Sequence, residues 1–419
     1  MTSSTPPSPE SGPVVRFVAP DELLDFRRQV MFGFGDDYDE ERVASRAALT
    51  EALGATPLCI VAEDRGRTVA TLASYDLELT VPGGDRVSTA GTSAVTVHPT
   101  HRRRGLLTQM MAKHLDQARD RGQPLAALYA SEEAIYGRFG YGPATFAYWL
   151  RYSHHDVTVP DGPAEIRLIP LQPNEAVNVL APLYEQTLAR RVGSYRRQEP
   201  WWDRIISPFA AQNTGSGELR VVVAERHGQP VGYVLFRLRA VWGVTRPDGT
   251  AQVQEMAYLD DDVRRRLTYF VSNIDLMPNV VWKHSAFDAP LLLEATRPRS
   301  IERIVTDQLW VRVLDVVAAL ESRRYESPGG LVLDVKDRHG YTTGRYRLEV
   351  EEDGHGRCAP TTDEADVELD AAELGAVYLG HRHVHTLARA GRIHGAPSTI
   401  DRLADMFETM HAPFCAEAF

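Results

Sequence analysis

"VTVHPTHRRRGLLTQMM", residues 95–111, decides how this chain is read. An apolar, strand-like stretch runs into a tight turn, three consecutive arginines and a glycine. Beyond it, Leu107, Met110, Met111, His114, Leu115 and Ala118 fall on one face of a helix, and Gly122 ends it. A strand that turns onto a helix N-terminus makes an anion site. Free backbone N–H groups converge there, and the helix dipole adds about half a positive charge. Gly105 removes the Cβ that would keep a phosphate from the backbone, and Arg102, Arg103 and Arg104 can add bidentate contacts. The alternative is a solvated basic turn, although arginine opposes the dipole at a helix start. A pyrophosphate is the expected ligand. The glycine spacing fits neither a Walker loop nor a dinucleotide-binding fingerprint.

Working outward, residues 14–53 look largely helical, with "FGFGDDYDE" as a break. "PLCIVAED" and "TVATLASYDLEL" read as strands around a turn at residues 65–67, and a further strand covers residues 90–97. After the central helix come a short buried strand, "PLAALYA", a short helix breaking into glycine turns, "SEEAIYGRFGYG", and another strand, "TFAYWLRYS". This is an α/β module. Residues 160–170 read as a linker, and residues 174–191 as a helix. The hairpin "LRVVVAERHGQPVGYVLFRLRAVWG" and then "AQVQEMAYLDDDVRRRLTYFVSNI" repeat the order of the first module, with strand, turn, Arg-Arg-Arg and helix. Leu267 stands where the first module has Gly105, so the repeat is degenerate and expected to be cofactor-free. The last hundred or so residues mix strands and helices in an α+β domain. The expected boundaries are a disordered tail at 1–13, modules at 14–156 and 157–298, and a third domain at 299–419.

Composition narrows the function. At 419 residues the chain is too long for one ordinary core. Its net charge of −11 repels nucleic acid and favours cationic small molecules. No apolar run is long enough to span a bilayer, and the opening residues lack the pattern of a signal peptide. Cys59, Cys358 and Cys415 are few and far apart, which suits a cytoplasmic protein without disulfides. No CxxC or HExxH signature is present, and "HRHVH" (His381, His383, His385) has no nearby cysteine or carboxylate to complete a metal set. No metal is expected.

"VTVHPTHRRRGLLTQMM" resembles motif A of the GNAT superfamily of acetyl-CoA-dependent N-acetyltransferases, with Leu107 in place of the usual small residue. That departure, "ASEEAIYGRFGYGPAT", the doubled module and the terminal phenylalanine are together similar to the Eis (enhanced intracellular survival) family, over the whole chain. The resemblance implies two tandem GNAT-like modules, catalytic then degenerate, and a C-terminal domain like sterol carrier proteins. It also implies a homohexamer that acetylates amines of polycationic small molecules such as aminoglycosides. Protein lysines or natural polyamines are the alternative acceptors. A lipid or sterol carrier is the alternative of another class.

Residue roles follow from that resemblance. The strand at Val95, Thr96 and Val97 would splay from its neighbour and pair with the pantetheine arm, an N–H near Val95 reaching the thioester oxygen. Arg103, Arg104, Gly105, Leu106, Leu107 and Thr108 would hold the pyrophosphate. Ser131 and Glu132 would lie beside the thiol end, and Ser131 is also a candidate N-cap. Tyr136 would be the general acid, since a phenol keeps its proton at neutral pH, and Tyr141 a structural neighbour. The base would be the α-carboxylate of Phe419, raised in pKa by burial or working through water. Asp36 and Glu417 are the candidate substrate carboxylates, Asp36 within an acidic loop at residues 36–41 that also reads as merely solvated.

Overall fold

The computed structural model describes residues 12–36, 39–188, 190–206, 217–381, 384–416 and 418–419. Glu417, Asp37 and His383 of the readings above lie outside the described residues, as does the tail up to residue 11.

The first module begins with a strand, β1 (Val14–Phe17), where a helix was expected. Its β-branched and aromatic residues pair antiparallel with β2 (Ile60–Asp64), so sheet pairing overrides the helical reading. Then come α1 (Leu23–Phe34), closed by Gly35 in the left-handed conformation, and α2 (Glu40–Ala52), capped by Asp39, which accepts from the Arg42 N–H. β3 (Arg67–Thr80), β4 (Arg86–Val97), α3 (Leu106–Asp120), β5 (Leu125–Tyr129), α4 (Glu133–Tyr136) and β6 (Gly142–Pro143) follow. Alternation along β2 places Ile60 and Ala62 under Met110, Met111 and Leu115 of α3. Cys59 and Val61 pack with Phe26 of α1 and Ala47 of α2.

The second module repeats this layering. It comprises β7 (Phe146–Ser153), β8 (Arg167–Leu171), α5 (Pro173–Leu188), α6 (Glu199–Ile206), β9 (Leu219–Arg226), β10 (Gln229–Arg239), β11 (Thr250–Tyr258), α7 (Asp261–Ser272), β12 (Asn279–Ala286), α8 (Leu291–Glu294) and β13 (Glu302–Asp307). β8 overlaps the end of the expected linker and pairs with β9. The third domain holds α9 (Val316–Glu321), β15 (Gly329–Lys336), β16 (Gly344–Val350), β17 (Gly356–Pro360), β18 (Val367–Asp370), α10 (Ala371–Val377), α11 (Val384–Arg389), β19 (Ile393–Gly395) and α12 (Pro397–Phe407). It is preceded by β14 (Leu309–Val313).

Strand order departs from chain order. The sheets run β1-β2-β3-β4-β5-β14-β6, β13-β7-β12-β11-β10-β9-β8 and β17-β16-β15-β18-β19. β7, read with the first module, lies in the second sheet between β13 and β12. β14, read with the third domain, lies in the first sheet between β5 and β6. All five residues of β14 are buried, as expected of an interior strand covered on both faces. Its Arg312 pairs with Asp337 of the third domain at 2.7 Å, both side chains almost wholly buried. The third domain's interior is filled by Leu331, Leu333, Leu348, Leu374 and Phe407. Arg323, also buried there, donates to the carbonyls of Tyr378 and Phe407. The two modules are α/β and the third domain α+β, as expected. No helix of the described residues is long and apolar enough to cross a membrane.

Candidate active site

The site begins where β4 leaves β5. Parallel pairing runs only from Thr89↔Leu125 to Thr92↔Leu128, while β4 continues to Val97. Val95, Thr96 and Val97 therefore lie beyond the last rung of the β5 ladder. On its other edge β4 stays paired with β3, with a register shift between Thr71 and Ala73. The extra residue is accommodated at Ala94, whose φ is +51°, a conformation that an L-residue adopts at a cost of about 1–2 kcal/mol. Thr71 Oγ1 donates to the Ala94 carbonyl at 2.8 Å. α1 crosses so close that a Cβ on Gly33 would stand 2.5 Å from Thr96 Cβ.

The turn after β4 is tied down. His98 stacks on Phe32 of α1 with ring centroids 5.6 Å apart, and His101 Nε2 meets Asp64 at 2.9 Å. Arg103 and Gly105 both take positive φ, +63° and +79°. Gly105 is the N-cap of α3, and no side chain caps that end. A Cβ on Gly105 would meet only Gln109 Nε2, at 4.0 Å, so the turn needs glycine for its backbone angle and the space above it is open. Arg102, Arg103 and Arg104 are exposed. Among the described residues none of them has a carboxylate within 4.0 Å. Arg102 donates to the Val97 carbonyl at 3.5 Å, and the free N–H groups at α3 with the exposed Arg103 and Arg104 fit a pyrophosphate.

The corresponding turn of the second module is built differently. Its three arginines lie inside α7, not before it. Asp260 caps that helix by accepting from the Val263 N–H, so a carboxylate already occupies the anion position. Arg264 and Arg265 pair with Glu294, and Arg266 with Asp161. The alignment of the two arginine runs in the sequence was one of letters, not of structure.

Ser131 and Glu132 follow β5 and are exposed. Glu132, not Ser131, is the N-cap of α4. Ser131 lies close enough to the Tyr136 phenol to act on its pKa. Tyr136 is 5% exposed; burial raises its pKa, against the Ser131 hydrogen bond, which lowers it. It keeps its proton at neutral pH. Tyr141 is fully buried, and its hydroxyl meets Thr92 Oγ1 at 2.9 Å; that oxygen in turn meets His114 Nε2 at 2.7 Å. Tyr141 is thus locked into the sheet–helix core.

The chain end reaches the same place. Phe414 pairs with residues 192–194 through its N–H to Val192 and its carbonyl from Ser194 Oγ. The Phe419 ring makes edge contacts with Tyr129 at 5.8 Å and Tyr195 at 5.6 Å. Ser93 Oγ, on the diverging part of β4, donates to the Phe419 main-chain oxygen at 2.8 Å.

Phe419 closes a cavity of about 180 Å³ between α1, α2, β3, β4 and α6. Asp36 lines it but lies 3.7 Å from Arg42. Two more carboxylates of the acidic loop are committed: Asp39 caps α2, and Glu40 pairs with Arg28 at 2.8 Å. Sequence reading missed Arg27, Arg46, Tyr75, Trp201 and Arg204, which line this cavity. Arg27 was detectable, because it lies on the apolar line Leu23, Arg27, Met31 along α1, where a cation needs a reason.

A diverging strand pair, an uncapped helix behind three exposed arginines and a buried tyrosine are an arrangement that fits a GNAT-type, acetyl-CoA-dependent N-acetyltransferase. Residues 14–144 and 193–313 each match an acetyltransferase (GNAT) domain, and residues 316–416 match a sterol carrier protein domain. An uncharacterized N-acetyltransferase of Streptomyces griseus is 36% identical across 97% of this chain and 99% of its own. The N-acetyltransferase Eis of Mycobacterium tuberculosis is 36% identical across 81% of this chain and 83% of its own. The crystal structure of Eis1 from Mycobacterium abscessus superposes with a TM-score of 0.82 at 29% identity, covering 97% of this chain and all of that one. The chain belongs to the Eis family of N-acetyltransferases.

Proposed function

We propose that the protein transfers acetyl from acetyl-CoA directly to a primary amine, with Tyr136 as general acid and the Phe419 carboxylate as general base. The observation that carries this reading is the docking of Phe419 on Ser93, at the start of the β4–β5 divergence. Bound acetyl-CoA supplies an acetyl thioester. Val95, Thr96 and Val97 have backbone available for its pantetheine arm, and the groups from Arg103 to Thr108 for its pyrophosphate. The Tyr136 hydroxyl, beside Ser131, donates its proton to the departing sulfur. The Phe419 carboxylate takes the proton that the amine releases as its nitrogen bonds the acetyl carbon, and Ser93 fixes that carboxylate.

An aminoglycoside acceptor is the finer expectation from the resemblance. Of the 36–41 loop, Asp36 lines the cavity beside Phe419, while Asp39 and Glu40 are engaged by the α2 N-terminus and Arg28. A homohexamer remains part of this proposal, and the exposed Trp242 and Val244 are apolar surface of the kind that assembly covers. The test is acetyl-CoA turnover against a panel of amines, with the acetylated nitrogen mapped by mass spectrometry. Thiol release without any acetylated amine would refute the reading.

A further inference from the structure

The second module reaches into the first through the loop before α6. β2 pairs with β3 from Arg67 to Leu72. Farther along, the β3 edge is met by residues 193–196. The Gly193 N–H donates to the Thr80 carbonyl and the Thr80 N–H to the Ser194 carbonyl, both at 2.8 Å, and the Arg196 N–H to the Glu78 carbonyl at 3.0 Å. The same strap receives the end of the chain, since Phe414 bonds Val192 at 2.7 Å and Ser194 Oγ at 2.8 Å. Gly193 has a φ of +91°, and a Cβ there would stand 2.9 Å from Thr145 Cγ2 and 3.3 Å from the Phe414 nitrogen. Glycine therefore lets the last segment approach. Tyr195, 1% exposed, sets its ring edge-on against Phe419 at 5.6 Å.

The strap is fastened inside the second module. Arg197 forms a bidentate pair with Glu255 of β11, the side chains 1% and 5% exposed. Tyr233 of β10 donates to the same carboxylate. The Arg197 guanidinium lies 3.9 Å over the Tyr184 ring, and the Tyr184 hydroxyl donates to the Tyr195 carbonyl at 3.0 Å. Burying two charges this deeply is costly compared with apolar packing, but a paired fork has one geometry.

We propose that Tyr195 and Arg197 are positioning residues for the terminal carboxylate, so that the second module serves the reaction by holding the base. This rests on the terminal-base reading above. A carboxylate at the end of a chain has no following residue to locate it, and termini fray unless they are tied down. Tyr195 acts on the Phe419 ring directly. Arg197 acts through the strap, whose backbone it fixes against the second module's core.

The test uses the full-length protein with acetyl-CoA and kanamycin, spermidine or benzylamine as acceptor, the fastest of them serving throughout. Tyr195→Leu should lower kcat by roughly tenfold or more, because a small displacement of the base suffices, while acetyl-CoA affinity by calorimetry stays as in the wild type. Tyr195→Phe, which keeps the ring, should restore most of the rate. Arg197→Met should act in the same direction as Tyr195→Leu; if it fails to fold because it strands Glu255, Tyr195→Leu still decides. In a chain lacking Phe419, Tyr195→Leu should cause no further loss, since both changes remove the same base. Carboxypeptidase should release Phe419 roughly tenfold faster from Tyr195→Leu than from the wild type, as followed by mass. An unchanged kcat, an unchanged rate of release, or an equal loss in the shortened chain overturns this inference and leaves acetyl transfer standing. Wild-type turnover by the chain lacking Phe419 overturns the terminal base and this inference with it. Acetylation of none of the acceptors overturns acetyl transfer as well.

Discussion

At the scale of single residues, two tyrosines five positions apart have opposite duties. Tyr136 lies beside Ser131, an exposed residue just past β5, whereas Tyr141 bonds Thr92 inside the core. Tyr136→Phe should lower kcat by roughly 10²–10⁴-fold, the worth of a positioned acid, with acetyl-CoA affinity unchanged. Tyr141→Phe should leave kcat near wild type and cost about 1–3 kcal/mol of stability, because Thr92 loses a buried partner. Steady-state kinetics beside urea unfolding separates the two, and a larger kinetic effect at Tyr141 would reverse the assignment. The glycine-rich stretch showed that a helix breaks there, but the choice between the phenols came from family resemblance. The positive φ at Ala94 left no trace in the sequence, since alanine does not advertise a bulge. Arg27 did leave one, a charge on an apolar helix line.

At the scale of elements, α3 is pinned to the sheet by the His114–Thr92–Tyr141 chain. Burial pulls the His114 pKa down from 6.5 to about 4. The unfolded chain therefore takes up a proton near pH 6.5 that the folded protein refuses until about pH 4. Stability from this group is complete above the unfolded value, falls as pH drops through it, and levels off below the folded one. The loss amounts to roughly 3 kcal/mol. Urea midpoints at pH 7 and pH 4.5 should fall less in His114→Gln than in wild type; parallel falls would remove His114 as the cause. The α3 face was legible because its 3.6-residue period is unbroken over four turns. The start of α7 was not. Two identical arginine runs suggested equivalent turns, and only the Asp260 cap shows that one run precedes its helix while the other starts a turn inside it.

At the scale of the whole molecule, the exchanged strands bind three domains into one body. Hydrophobic patterning identifies β7 and β14 as strands but carries no information on which sheet receives them, because a strand buried on both faces fits any interior slot. Arg312 makes the junction specific through Asp337. Asp337→Ala should cost about 3–5 kcal/mol, since it strands a buried guanidinium. It should also lower acetylation, because the third domain carries the chain end to Ser93. Differential scanning calorimetry together with turnover checks this, and an unchanged transition would show that the junction is held by apolar packing alone.

The terminal carboxylate depends on that whole assembly, and it is tested by extending the chain. One added residue moves a carboxylate by about 3.5 Å, and a displacement of about 1 Å can already cost about 100-fold in rate. The measurement is acetyl transfer by protein carrying one extra alanine after Phe419, its mass verified, with acetyl-CoA affinity measured in parallel. The expected result is near-complete loss of transfer with acetyl-CoA bound as tightly as before. Wild-type turnover by the extended chain would contradict the terminal-base mechanism.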